Sequence, residues 1–314
     1  MKKQVLSLCL AAMCLLSACE RSQPDTDKRT IVATTYPVYL FASAVTEGVE
    51  GIEVLRLDTG STSCLHDYNL TVNDMKKIER ADVIAVNGAG LEEFMEDALH
   101  TSDALVIDCS EGVHLLENES HHHDEEDHSH DGHDHGHFDP HYWMDMENAG
   151  VMVENIAEAM VKLDADNAQV YRDNGEKAQQ ELQVVDALME IYREGVDVPG
   201  LITFHDGFRY FCHAYGLDLL ESIEEEAGSE ASAKEIVEIT RLVKEHDIPV
   251  IFTEVNGSDA TAKAIVRETG CAIAQLSMVM DGPDDDLGNY VRAMLKNMLS
   301  ITDGFAGEKA VTSQ

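Results

Sequence analysis

Between Asp164 and Glu194 the chain carries one long helical pattern, and this segment constrains the fold more than any other. Tyr171, Ala178, Leu182, Val185, Met189 and Tyr192 recur at steps of three, four and seven, the period of a single buried helix face. Asp164 or Asp166 can cap the start, and Gly195 followed by Pro199 marks the end. Such a helix reaches roughly 45 Å at 1.5 Å per residue, long enough to cross a molecule and join its two halves.

Both flanks of this segment repeat the same alternation. Before it, Ile31–Thr35, Ile52–Leu57 and Val83–Val86 read as strands, with helical stretches at Val38–Thr46 and Thr71–Arg80. After it, Leu201–Phe204, Val250–Thr253 and Ala272–Leu276 read as strands, with helices at Ser232–Glu245 and Ala260–Thr269. Short apolar strands alternating with helices predict parallel sheets covered on both faces. The expected fold class is therefore α/β: two parallel-sheet lobes joined by a long rigid helix, with a cleft between them. The expected limits are an N-terminal lobe over 30–163, the linker helix over 164–195, a C-terminal lobe over 196–306 and a tail over 307–314.

The N-terminus is of another kind. Lys2 and Lys3 precede an apolar run from Val5 to Leu16 and then Leu16-Ser17-Ala18-Cys19. A charged start with an apolar run this short is the layout of a secretory signal peptide, not of a membrane span. The ending resembles a bacterial lipobox, so residues 1–19 are expected to be a signal peptide and Cys19 the lipidated residue. Residues 20–29 would be a tether that leaves the protein anchored outside the cytoplasmic membrane rather than spanning it. Cys64, Cys109, Cys212 and Cys271 remain in the mature chain, scattered without a CxxC pair; they are buried thiols or form one or two disulfides. The formal charge of −38, from 60 acidic and 22 basic side chains, argues against nucleic acid as a partner, because phosphate backbones require Lys and Arg.

Residues 117–137 break the strand–helix rhythm. They hold His121, His122, His123, His128, His130, His133, His135 and His137 among Asp and Glu, with almost nothing apolar. Such a stretch cannot bury a core and reads as an inserted loop that collects metal at low affinity.

Three further histidines sit where an α/β fold places ligands, at the carboxyl ends of strands. His205 follows Leu201–Phe204, His66 lies after Ile52–Leu57, and His141 stands in Asp139-Pro140-His141. Glu254 follows Val250–Thr253 and is a candidate fourth ligand; Ser277 follows Ala272–Leu276. Three imidazoles with one further ligand suit tetrahedral Zn(II), and capture should weaken as the imidazoles protonate below about 6.5. Asp67, Asp139 and Asp206 flank these histidines and are candidates to fix their tautomers. His100, His114, His213 and His246 read as structural or exposed, and Tyr142 and Trp143 as packing residues.

Several segments, in order, resemble the motifs of the zinc- and manganese-type solute-binding proteins of bacterial ABC transporters. They are Thr35-Tyr36-Pro37, Cys64-Leu65-His66-Asp67-Tyr68, Asn87-Gly88-Ala89-Gly90-Leu91-Glu92, Asp139-Pro140-His141-Tyr142-Trp143, Phe204-His205-Asp206, Glu230-Ala231-Ser232-Ala233-Lys234 and Phe252-Thr253-Glu254. The resemblance covers about residues 30–300, and the His-rich insertion is similar to that of the zinc-specific branch. It implies His66, His141 and His205 as metal ligands and favours Zn(II) over Mn(II). It also implies a monomeric carrier without catalytic turnover, whose partners are an ABC permease and its ATPase. Two positions depart from the family pattern: Leu65 stands where proline is common, and Ser277 where an aspartate ligand is often found. The competing readings are a surface adhesin or metal buffer on the same fold and, further off, a secreted zinc hydrolase with Glu254 as base. The chain has no HExxH motif, which such a hydrolase often carries.

Overall fold

The computed structural model describes residues 28–59, 65, 68–118, 137–224, 232–255, 260–283 and 286–307. The first sheet contains β1 (Arg29–Ala33), β2 (Ile52–Arg56), β3 (Val83–Val86) and β4 (Leu105–Asp108). The second contains β5 (Leu201–His205), β6 (Leu219–Glu224), β7 (Val250–Glu254) and β8 (Ala272–Leu276). The orders are β2-β1-β3-β4 and β6-β5-β7-β8, and every pairing is parallel. The two sheets thus share one topology, and each has its switch point between its two central strands, the usual place of a ligand crevice in this class.

The helices are α1 (Tyr36–Val45), α2 (Val72–Glu79), α3 (Glu96–Thr101), α4 (Met146–Leu163), α5 (Ala168–Glu194), α6 (Arg209–Ala214), α7 (Ala233–Glu245), α8 (Ala260–Thr269) and α9 (Leu287–Ala306). Local sequence explains where several begin. Thr35 caps α1, with a proline in its first turn. Thr71 with Asp74, and Ser232 with Glu235, form reciprocal capping boxes at α2 and α7.

The long linker helix is present as α5, 27 residues or roughly 40 Å, burying Tyr171, Gly175, Ala178, Leu182 and Met189. Of the expected stripe, Val185 is only partly buried and Tyr192 is exposed. The helix begins later than the sequence suggests because Asp164 leaves helical geometry at the end of α4. Its carboxylate accepts hydrogen bonds from Asn167 and Tyr171 and lies 3.7 Å from Arg29. Gly175 lets α4 and α5 close on each other: a Cβ there would stand 3.0 Å from that of Ala157.

The lobes are fastened to each other by buried contacts. The Tyr290 ring of α9 meets Phe41 of α1 edge to face at 5.0 Å, and its hydroxyl donates to the Trp143 carbonyl. Trp143 Nε1 in turn donates to the Met278 carbonyl at 2.9 Å. At the other rim, Arg56 lies over the Tyr36 ring and donates to the Gly282 carbonyl at 3.0 Å. Elements β4, β6, α3, α4, α6 and α9 were not anticipated from sequence. Among the described residues no helix is long and apolar enough to cross a membrane, and Cys109, Cys212 and Cys271 are buried free thiols. Cys19, Cys64 and residues 119–136 lie outside the described residues.

Candidate metal centre

β5 and β7 deliver two of the expected groups directly. His205 and Glu254 are the last residues of their strands, rather than the first residues of the loops beyond, and both are buried. A Cβ at position 207 would stand 2.3 Å from the Met278 methyl and 2.8 Å from the His205 ring, so the glycine there leaves room for both side chains. His141 comes from the other side, at the start of a short 3-10 turn over Tyr142–Met144. Its ring centroid lies 5.2 Å from that of His205, with the two planes perpendicular. Both imidazoles are almost fully shielded, at 6% and 2% exposure.

Asp139 fixes the His141 ring. Its Oδ1 accepts from the His141 backbone N–H at 2.9 Å and lies 2.8 Å from Nδ1. A carboxylate only accepts, so Nδ1 carries a proton, and in the neutral ring Nε2 keeps the lone pair that a metal needs. Burial pushes the Asp139 carboxyl up, but the hydrogen bond and charge of His141, with help from Arg209, hold it below its ordinary value. Burial pushes the His141 imidazole down; Asp139, and then the charges of Asp206 and Glu254, outweigh this and raise it. The Asp206 carboxyl is itself raised, first by burial and then by Asp139, and its Oδ1 accepts from Ser222 at 3.3 Å. These groups make a shielded, acidic pocket around two neutral-capable imidazoles, which suits a divalent cation.

His66 and Asp67 lie outside the described residues. Their neighbours Leu65, fully buried, and Tyr68 are joined by a backbone hydrogen bond of 2.9 Å. Among the described residues no group of three or more potential ligand side chains is assembled; the expected trio is represented by His141 and His205. Of the eight histidines in the inserted stretch, only His137 is described, and it is exposed. It sits on an antiparallel stem where Glu117 bridges Phe138 and Asn118 donates to the His137 carbonyl. His100, His114, His213 and His246 are all exposed.

Ser277 does not offer its hydroxyl freely. The Oγ accepts from the Val279 N–H at 3.1 Å, while Asn297 holds both the backbone N–H and carbonyl of Ser277 at 2.8 Å. Sequence reasoning passed over Asn297, Arg209 and Tyr210. A buried asparagine in a late helix, and Arg-Tyr four and five positions beyond His205, carry no spacing signal of their own.

The comparisons with known proteins fit this geometry. Residues 31–304 match the family model of zinc-uptake complex component A, periplasmic, abbreviated ZnuA. The chain belongs to the ZnuA family. It is similar to the zinc-binding lipoprotein AdcA of Streptococcus pneumoniae, 28% identical over 324 residues; the match covers 96% of this chain and 60% of AdcA. This chain therefore spans about three fifths of that relative's length. It is also similar to the high-affinity zinc uptake system protein ZnuA of Bacillus subtilis, 29% identical over 305 residues, covering 93% of this chain and 94% of that protein. Among solved structures, the laminin-binding protein Lmb of Streptococcus agalactiae, described as bifunctional with adhesin and metal-transporting activity, superposes with a TM-score of 0.73. That likeness covers 87% of this chain and 99% of Lmb at 24% identity, and it shows that the two share a fold.

Proposed function

We propose that this chain captures Zn(II) outside the cytoplasm in the cleft between its lobes and delivers it to an ABC permease and its ATPase, without catalytic turnover. The observation that carries the reading is the pair of shielded, perpendicular imidazoles of His141 and His205, one locked by Asp139 with its Nε2 available. His66 completes the set in this proposal, and Glu254 or a water takes the fourth position. Imidazole donors favour zinc over manganese, which prefers hard oxygen ligands. The working units of capture are the lobes 30–163 and 196–306 on either side of the linker. Cys19 is proposed as the lipid anchor, as the word lipoprotein in the name of the AdcA relative suggests. The adhesin activity named for Lmb stays with that protein, because at this identity the likeness carries the fold alone.

The test is calorimetric titration of the mature chain, and of a version lacking residues 119–136, with Zn(II) and Mn(II). Removing only those residues spares the bond from the Asp139 N–H to the Leu116 carbonyl at the base of the stem, while the bond between Asn118 and His137, which become adjacent, is lost. One tight zinc site in both proteins, with weak manganese binding, is the expected outcome. Loss of all tight binding on deletion would move the metal site to the inserted segment and refute the cleft.

A further inference from the structure

The fully buried side chain of Asp74 accepts more hydrogen bonds than its place in a helix needs. Reciprocal capping of α2 calls for one of them, from the Thr71 N–H to Oδ2 at 2.9 Å. The same oxygen also accepts from the Thr71 hydroxyl and the Tyr68 hydroxyl, both at 2.6 Å. Oδ1 accepts from the Asp58 N–H at 2.7 Å. Asp58 stands just beyond β2, and Thr71 just before α2. One carboxylate therefore ties together the two ends of residues 58–71, and His66 lies between these ends in sequence.

Each end is held from more than one side. Lys77 donates to the Arg56 carbonyl at 2.6 Å and pairs with the Asp58 carboxylate, which Asn73 also meets. The Tyr68 ring packs edge to face on Phe94, with centroids 5.4 Å apart. The Tyr68 N–H donates to the Leu65 carbonyl at 2.9 Å, and Leu65 is fully buried. The residues that flank His66 and Asp67 are thus fixed, Leu65 by the core and Tyr68 by Phe94 and Asp74. Closing a loop of this length costs chain entropy. Where internal bonds close it beforehand, the incoming metal does not have to order the loop, which favours binding.

We propose that Asp74 is a positioning residue for zinc capture: by closing residues 58–71 onto the start of α2, it places His66 for the metal. Asp74 does not touch the metal in this scheme. The inference rests on the zinc reading, with His66 as a ligand, for its consequence; its immediate effect falls on the backbone of the metal-free protein.

Two variants loosen the clamp to different degrees. Asp74→Asn keeps the size of the side chain and turns an N–H₂ group toward hydrogen-bond donors. Tyr68→Phe keeps the ring on Phe94 and removes only the hydroxyl. Each is made in the parent mature chain and again with His66→Ala, and thermal melting establishes that each is folded. Competition for Zn(II) against chromogenic chelators of graded strength reads the affinity. Amide hydrogen exchange of the metal-free proteins reads the clamp. Asp74→Asn should bind zinc about tenfold more weakly than the parent, at the lower end of what loss of a ligand's supporting group costs. Tyr68→Phe should lose about fivefold, the equivalent of one hydrogen bond. Neither should weaken binding further once His66 is replaced, because residues that act through one another are not additive. Exchange should rise across residues 58–71 and stay parent-like in β1 and β3. Parent-like affinity or exchange in the folded variants would overturn the positioning role. So would an affinity loss that persists in the His66→Ala background, or exchange that rises evenly through the first lobe. Should Asp74→Asn not fold, Tyr68→Phe decides by the same criteria. If exchange responds as described while the parent itself has no tight zinc site, the clamp on residues 58–71 stands and the zinc reading fails.

Discussion

The two lobes share one sheet topology and use its switch point in opposite ways. In the second lobe the central strands β5 and β7 end in His205 and Glu254, side chains with metal-binding chemistry. In the first lobe, β1 and β3 run out into a closed polar knot. Glu92, fully buried in its surroundings, accepts from the Thr34 hydroxyl at 2.5 Å, the Asn87 N–H at 2.7 Å and the Gly88 N–H at 2.9 Å. Gly88 adopts φ +81° there, and a Cβ would strike Asp108 Oδ1 at 2.0 Å, so glycine is the residue that fits. Asn87 then donates to the Pro140 carbonyl at 3.1 Å and receives the Tyr142 hydroxyl on its own carbonyl. The same crevice is thus spent on bracing in one lobe and carries candidate metal-binding side chains in the other, and the bracing lobe presents His141 through the loop it holds. A switch point marks where side chains converge; their bonding partners decide whether they bind a ligand or the protein itself.

This contrast breaks most sharply at His205. Replacing it with alanine removes a ligand on the present reading, so chelator competition should record a loss of zinc affinity of about a thousandfold, roughly 4 kcal/mol, with the melting temperature of the metal-free protein nearly unchanged. An equal loss of metal-free stability would make His205 a core residue instead.

Glu92→Gln should do the reverse. An amide presents one N–H₂ where two backbone N–H groups need acceptors, so urea denaturation at pH 5 should find about 3 kcal/mol less stability, with zinc affinity per folded molecule close to the parent's. Burial pushes the Glu92 carboxyl up to about 7, against the pull of its three hydrogen bonds. A raised folded-state pKa means that this group's contribution to stability is complete below its ordinary value of 4.5 and is lost as pH rises through about 7. The parent should therefore lose up to roughly 3 kcal/mol between pH 5 and 8, the variant much less, and the gap between them should narrow. A gap that stays flat between pH 5 and 8 would show Glu92 to be ionised throughout.

Asp139→Asn tests where bracing meets ligand. The amide can offer its N–H₂ to the His141 ring and favour the wrong tautomer, so zinc affinity should fall about thirtyfold, or roughly 2 kcal/mol. Unchanged affinity would detach Asp139 from the site. The smallest effect is expected where the lobes are merely fastened: Tyr290→Phe removes the hydroxyl bond to the Trp143 carbonyl and should cost about 1 kcal/mol in urea melts, leaving zinc binding intact.

Much of this architecture was legible because it is written in periodicity. Val83–Val86 and Ala272–Leu276 are strands to the residue, and α8 spans the expected Ala260–Thr269, each bounded by a change of hydrophobic period. β4 escaped because Leu105 and Val106 lie exposed on a sheet edge, so the strand shows no buried run. The start of α5 was misplaced because Asp164 reads equally well as a helix cap and as the break that it is. His205 and Glu254 stand out as candidates from their position at strand ends, and His141 from the Asp139-Pro140-His141 segment. The residues that give them their setting could not: Arg209, Tyr210, Asn297 and Glu92 act through partners 20 to 94 positions away or through backbone groups, and no local pattern encodes that.

Zinc anomalous diffraction from crystals loaded with one equivalent of Zn(II) addresses the cleft site itself. One strong peak between the His141 and His205 rings, within about 2.1 Å of a nitrogen of each, is the predicted result. A peak among the histidines of residues 119–136, with the cleft empty, would contradict it.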